Sequence, residues 1–442
     1  MRSLFKKLKH DKSGNFGIMT ALLMVPLLGS AGMIVDCSRA MQIRWDMQNA
    51  ADMAALGAIS EKSAGVLAAM NMPADGTVTL SEQDALNLFN GQINTGLEGA
   101  PVAVQISVTK KGADLKASVK YAVSIETSFL RIIGKDSIAI SGKAEAAFQT
   151  ANFQDFFVLL DNTPSMGVGA TPADVTLLEA KTGCAFACHI AIDGQEVPVE
   201  ITDNKVKKGT SSYSYAGTIG VTLRIDVVAQ ATAALMVKVG ESRRYDNQFR
   251  VGLYTFGQRA EDLKLLEVQN PTSNLIEAEA SAKTIKLMSI PRQNYDNDQQ
   301  TSFDKALTEI ETYIGTPGNG LSSATPEKVV MLVADGVGDS YKPSGCTKPT
   351  KGDRCQEPID TKYCKALKDK NIRVAVLYTT YVPTPSDPWY EKWIKPFQNE
   401  IGTKMEECAS PGLYFEVSPT EGISKAMNAL FLKASRSPRL TS

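Results

Sequence analysis

Apolar and polar positions follow three different rhythms along this chain, and each predicts a different kind of structure. Residues 16–35, FGIMTALLMVPLLGSAGMIV, carry no charge. About 20 apolar residues match the hydrocarbon thickness of a bilayer, so this run predicts a transmembrane helix. Helical character continues through 38–60, where Met41, Trp45, Gln48, Asp52, Ala55 and Ile59 recur at a spacing of about 3.5. No Gly or Pro interrupts before Gly57, which predicts a single rod whose alanine-rich side packs on the sheet that follows.

The second rhythm occupies 75–149. VTL (78–80) predicts a short strand, and SEQDALNLFNGQI a helix with Ser81 as its N-cap. PVAVQISVTKKGADLKASVKYAVSI alternates in two runs joined at Lys110-Lys111-Gly112, a hairpin signal, and SIAISGKAEAAF (137–148) adds another strand. A small α+β module is expected here.

From Phe153 onward the rhythm changes again. FFVLL (156–160), RVGLYTF (250–256), KVVMLVAD (328–335), IRVAVLYTT (372–380) and LYFEVS (413–418) are nearly continuous apolar runs, as strands buried on both faces require. Helical patterns lie between them at 221–239, 272–288 and 302–314, and TEGISKAMNALFL closes the series with Thr420 as its N-cap. The fold class expected is α/β, a doubly wound, mostly parallel sheet, preceded by the transmembrane helix and the α+β module. The expected divisions are a basic tail (1–15), the membrane helix (16–35), the helix with its α+β module (36–150) and the α/β domain (151–435). Two long inserts, 167–215 and 337–362, interrupt the last of these.

Charge and cysteines add location. The tail carries Arg2, Lys6, Lys7, Lys9 and Lys12, while Asp36 follows the apolar run; this asymmetry predicts a cytoplasmic N-terminus with the bulk of the chain outside the cytoplasm. A cleaved secretory signal ending near Gly29-Ser30-Ala31 is the rival reading, although the apolar run continues to Val35. A formal net charge of -1 argues against a nucleic-acid partner. Cys37 abuts the membrane segment; Cys184, Cys188, Cys346, Cys355, Cys364 and Cys408 form an even set, which reads as disulfides in an exported region. Cys346 with Cys355 would close a short local loop. Cys184 and Cys188 with His189 could instead hold a metal, but with only His10 besides His189 in the chain a disulfide is the expectation.

Candidate chemistry sits where strands end. FFVLL runs into Asp161-Asn162-Thr163-Pro164-Ser165, KVVMLVA into Asp335-Gly336, and Thr301 precedes a helix after a polar loop. In a parallel sheet the crevice beyond the carboxyl ends of the strands is where ligands bind. Carboxylates and hydroxyls are hard oxygen ligands suited to Mg²⁺ or Mn²⁺. Alone, each feature also reads as a helix cap or a turn. No phosphate-binding G-x-x-x-x-G-K-[ST] loop, zinc-binding H-E-x-x-H motif or catalytic base accompanies them.

Asp161, Thr163 and Ser165 with Thr301 and Asp335-Gly336 resemble the von Willebrand factor type A domain with its metal-ion-dependent adhesion site, over about residues 153–432. Thr163 stands where that pattern usually has serine, and keeps the hydroxyl. The resemblance implies a divalent cation, Mg²⁺ or Mn²⁺, held by these five residues, with an open position for an acidic side chain of a protein partner. The N-terminal run resembles the TadE/TadG-like family of the tight-adherence (Flp) pilus-assembly system, through the basic tail, the uncharged segment, Asp36, Arg39, Met47-Gln48, Asp52 and Ala54-Ala55-Leu56. GATPAD, GCAFACH and LRIDVV look like its TadG-type branch. Together these resemblances imply a non-enzymatic, inner-membrane-anchored binding protein that contacts a pilus or envelope component. A passive envelope scaffold with a vestigial metal site is the alternative.

Overall fold

A computed structural model describes residues 15–61, 63–72, 74–93, 97, 99–150, 152–262, 264–293, 295, 301–381, 383, 388–418 and 422–435. The basic tail and Thr420 lie outside these. The chain forms two compact units, 1–150 and 151–442.

In the first unit one helix runs unbroken from Asn15 to Ala58. Its buried side is Ala40, Ile43, Met47, Ala50, Ala51, Ala54 and Ala58, whereas Met41 and Trp45 of the expected stripe are exposed. Small side chains let the helix axis approach the sheet closely, which the bulkier residues would prevent. The sheet is antiparallel, in the order β1 (Gly76–Thr77), β2 (Ala103–Lys111), β3 (Asp114–Glu126) and β4 (Ser137–Gln149). Tyr121 Oη on β3 donates to Gln48 Oε1 at 3.1 Å, and Gln48 Nε2 donates to the Lys143 carbonyl at 3.2 Å. Ser81 is not the N-cap of the next helix. Pairing of β1 ends at Thr77, and the helix begins directly afterwards, spanning Thr79–Gln92, so Ser81 is buried inside its first turn.

The second unit is built on a six-stranded mixed sheet. Its strands include β5 (Gln154–Leu160), β10 (Phe249–Thr255), β11 (Leu266–Thr272), β12 (Glu327–Ala334), β15 (Arg373–Thr379) and β16 (Tyr414–Val417). The order is β11-β10-β5-β12-β15-β16, with β11 antiparallel and the rest parallel. Hairpins occupy the inserts: β6 (Ala191–Ile192) with β7 (Gln195–Glu196), β8 (Ile201–Thr202) with β9 (Lys205–Val206), and β13 (Val337–Tyr341) with β14 (Arg354–Pro358). Every residue of β5 is buried. Phe156, Val158 and Leu160 share one core with the helices Arg224–Ser242, Leu275–Ala282 and Ile423–Ala434. Phe157 and Leu159 share the other with Phe303–Ile314, Thr361–Asp369 and Gln398–Cys408. Helices therefore cover both faces, and β5 lies in the middle, where its carboxyl end is flanked by strands on either side.

Register at the opposite end of β5 is set by charge. Asp155 stands beside Arg250 on β10 and Lys328 on β12. It accepts from Arg250 Nε and Nη2, each at 2.7 Å, and from Lys328 Nζ at 2.6 Å. Asp155→Ala strands the buried Lys328 ammonium, while the more exposed Arg250 turns to water, so the expected loss is about 3 kcal/mol. Urea denaturation of a 151–442 fragment measures it; a loss no larger than that of an ordinary surface substitution would refute the register-setting role.

Disulfides join Cys346 to Cys355, across the β13–β14 hairpin, and Cys364 to Cys408, between two helices of one face. Cys184 and Cys188, expected in disulfides, form none. Cys184 Sγ faces the Phe186 amide, which donates to it at 3.4 Å, and Cys188 is fixed by its amide donating to Ser212 Oγ at 2.8 Å. Burial pushes the Cys188 thiol up to about 12.

Candidate metal centre

All five residues singled out in the sequence meet at the carboxyl edge of the central strands. Asp161 follows β5 directly, and its amide donates to the Val333 carbonyl of β12 at 2.9 Å, which fixes the turn. The chain then passes through Thr163 into a short turn, Pro164–Gly167, that brings Ser165 back over the strand end. Asp335 follows β12. Gly336 reverses the chain with φ 75°, and a Cβ there would lie 2.7 Å from Ile401 Cγ2. Both the left-handed backbone and the close helix call for glycine. Thr301 is held against the β13 hairpin by paired backbone bonds with Asp339, at 2.8 and 3.0 Å.

The side chains form one connected network. Thr163 donates to Asp161 Oδ1 through its hydroxyl at 2.6 Å and its amide at 2.9 Å. Thr301 Oγ1 donates to Thr163 Oγ1 at 2.8 Å, and Thr163 Oγ1 lies 3.4 Å from Ser165 Oγ. Ser165 lies beside the Asp335 carboxylate, whose Oδ1 accepts from the Val337 amide at 3.1 Å. Asp161 and Asp335 are 0% exposed, and Oδ2 of each finds no hydrogen-bond partner. Two orphaned carboxylate oxygens among three hydroxyls are a donor set that fits a hard divalent cation. Burial raises the pKa of both carboxyls; for Asp161 the charge of Asp335 adds to the effect, while Arg224 opposes it for both.

Arg224 is the residue of this cluster that reading the sequence for ligands missed. It opens the helix Arg224–Ser242 and is only 2% exposed. Its Nη1 lies 3.8 Å from Asp335 Oδ2, and its Nη2 donates to the Thr379 carbonyl at 3.0 Å and to Thr379 Oγ1 at 3.2 Å, at the end of β15. One guanidinium against two carboxylates leaves a formal excess of one negative charge. A bound divalent cation would reverse that sign and make the centre attractive to an external carboxylate.

Only Ser165 of the five is partly exposed, and it opens, with Thr301, onto a cavity of about 730 Å³. The insert carrying Cys184 and His189 forms part of its wall, and Arg354 and Trp389 form another. Arg354 is held by Asp339 in a two-pronged ion pair and lies 4.5 Å above the Trp389 ring. His189 Nδ1 lies 2.6 Å from the Leu287 carbonyl, which places its ring in structural use.

Residues 14–70 match the family described as "Putative Flp pilus-assembly TadE/G-like". No curated protein matches this chain. Among solved structures it is similar to the pilus adhesin SpaC from Lactobacillus rhamnosus GG, at 12% identity and TM-score 0.37, covering 77% of this chain and 35% of that one. It is also similar to the PilB minor pilin from Streptococcus sanguinis, at 10% identity and TM-score 0.33, covering 77% and 79%. A third is the vWF domain of the type V pili tip protein Mfa5 from Porphyromonas gingivalis, at 8% identity and TM-score 0.36, covering 66% and 99%. The chain thus spans about a third of the SpaC chain.

Proposed function

We propose that this chain is a membrane-anchored component of a tight-adherence (Flp) type pilus-assembly system, with a von Willebrand type A-like, doubly wound domain that binds a partner protein through a divalent cation. The family match over residues 14–70 supports the pilus assignment. The anchor reading rests on the helix Phe16–Ala58, which is long and apolar enough to cross a membrane. The observation that carries the metal reading is the convergence of Asp161, Thr163, Ser165, Thr301 and Asp335 around two orphaned carboxylate oxygens. These five residues would hold Mg²⁺ or Mn²⁺, which would supply a Lewis-acidic position for a partner's acidic side chain. Anchored by a cytoplasmic N-terminus at the inner membrane, the domain would face a pilus or envelope component on the periplasmic side. Nothing in the network is placed as a general base or nucleophile, so we read the site as a binding device and the protein as non-enzymatic.

Isothermal titration of a 151–442 fragment with Mg²⁺ and with Mn²⁺ tests the metal. Saturable binding is expected, along with its loss in Asp161→Ala; silence in the wild type, or undiminished binding in the variant, would sink the reading. At 100 times the dissociation constant the cation should add roughly 2.7 kcal/mol of stability, visible as a higher melting temperature than in chelator. Pull-down of envelope proteins that survives Thr301→Ala would favour a passive scaffold instead.

A further inference from the structure

The first unit carries an apolar turn that ordinary folding does not explain. Between β3 and β4 the chain makes a short helical turn, Leu130–Ile133. Leu130 is buried, but Phe129, Ile132 and Ile133 are 44%, 76% and 63% exposed. Three large apolar side chains projecting from one turn are a cost in water that soluble loops avoid.

The turn is fastened to the apolar part of the long helix. Asp36 accepts hydrogen bonds from the amides of Ser128 at 3.1 Å, Phe129 at 2.8 Å and Leu130 at 2.7 Å. One helical turn earlier, Gly32 is buried against Phe129, and a Cβ on Gly32 would lie 2.4 Å from Phe129 Cβ. Gly32 is three residues inside the end of the uncharged run at Val35, which places this contact about 5 Å inside the apolar boundary. Interfacial apolar groups sit about 5–10 Å into the headgroup and acyl boundary. Around Phe129 the neighbouring helix surface is itself exposed and apolar, at Met33, Ile34 and Val35. Arg131, which pairs with Asp136 at 3.4 Å, and Lys135 are exposed on the same turn, where headgroup phosphates would lie.

We infer that the turn Phe129–Ile133 is a second membrane contact, a wedge that Asp36 and Gly32 hold in the leaflet from which the anchor helix emerges. Its occupant is the lipid bilayer. The inference rests on the membrane-anchor reading above. The wedge would fix the tilt and rotation of the small module at the surface, which a single helix leaves free.

Full-length protein in vesicles of phosphatidylethanolamine and phosphatidylglycerol with brominated acyl chains tests this by tryptophan quenching, each variant read as its difference from the wild type. Three exposed positions are compared: Leu28→Trp in the apolar run, Ile132→Trp in the turn, and Leu56→Trp far along the same helix. The expected result is emission lost at Leu28→Trp and, to a comparable degree, at Ile132→Trp, with none lost at Leu56→Trp. Quenching at Leu28→Trp with Ile132→Trp behaving like Leu56→Trp would overturn the wedge while leaving the anchor intact. No quenching at Leu28→Trp would overturn the anchor and the wedge together.

Discussion

Arg224→Met is expected to destabilise the second unit by about 3–5 kcal/mol in chelator, the range for removing one partner of a buried ion pair. Methionine fills much of the volume, so the loss reports charge rather than a void. Asp161 and Asp335, both fully buried, lose the guanidinium that opposes their raised pKa values. A carboxyl that titrates higher in the folded chain than in the unfolded one binds more protons when folded, so stability falls as pH rises through that interval. The variant pushes both carboxyls higher still. Its penalty should therefore be greatest above their folded-state pKa values and shrink as pH falls towards the ordinary carboxylate range, where both are protonated. Divalent cation should restore more stability to the variant than to the wild type. Urea midpoints at several pH values, with chelator and with Mg²⁺, measure all of this. A penalty that does not change with pH would show that Arg224 contributes packing alone.

The second large effect is expected from the Cys364–Cys408 disulfide. It closes a sequence separation of 44 residues and joins the helices Thr361–Asp369 and Gln398–Cys408 on one face of the sheet. In the chain-entropy account a loop of that size restricts the unfolded chain by about 4 kcal/mol. Both cysteines are fully buried, so replacing the pair with alanine also removes packed atoms from that core. Chemical denaturation of the double alanine variant should show a loss of about 4 kcal/mol. Loss of the short Cys346–Cys355 link, with a separation of 9, should cost less. The reverse ranking would mean that the hairpin, not the helix pair, is where the disulfides matter.

The central strands were legible because burial on both faces writes short, nearly continuous apolar runs bounded by polar segments. That the five candidate residues would meet was legible for a related reason: four of them follow the ends of those runs or of the turn beyond, and strand ends in a parallel sheet share one edge. Arg224 was not. An arginine within an amphipathic helix ordinarily reads as a solvated residue, and its partners, Asp335 and Thr379, lie far along the sequence on two other elements. Edge strand β11 escaped because LEVQNPT is only half-buried, so neither alternation nor a continuous apolar run marks it. The β13–β14 hairpin escaped because its residues are mixed in polarity and are ordered by pairing and a disulfide. Parity of cysteines gave an expectation of three bridges, but parity carries no geometry, and Cys184 and Cys188 are thiols.

The unbroken helix Asn15–Ala58 has a mechanical consequence. At about 1.5 Å per residue its 44 residues make a shaft of about 66 Å, fastened to the small sheet along its outer half. Pulling or twisting applied to that sheet passes straight into the apolar half, with no loop to absorb it. Pro26 lies in that half and removes one rung of the backbone hydrogen-bond ladder, that to Leu22. Under load the shaft should bend there first, making Pro26 a compliant joint between the small sheet and the apolar end of the helix.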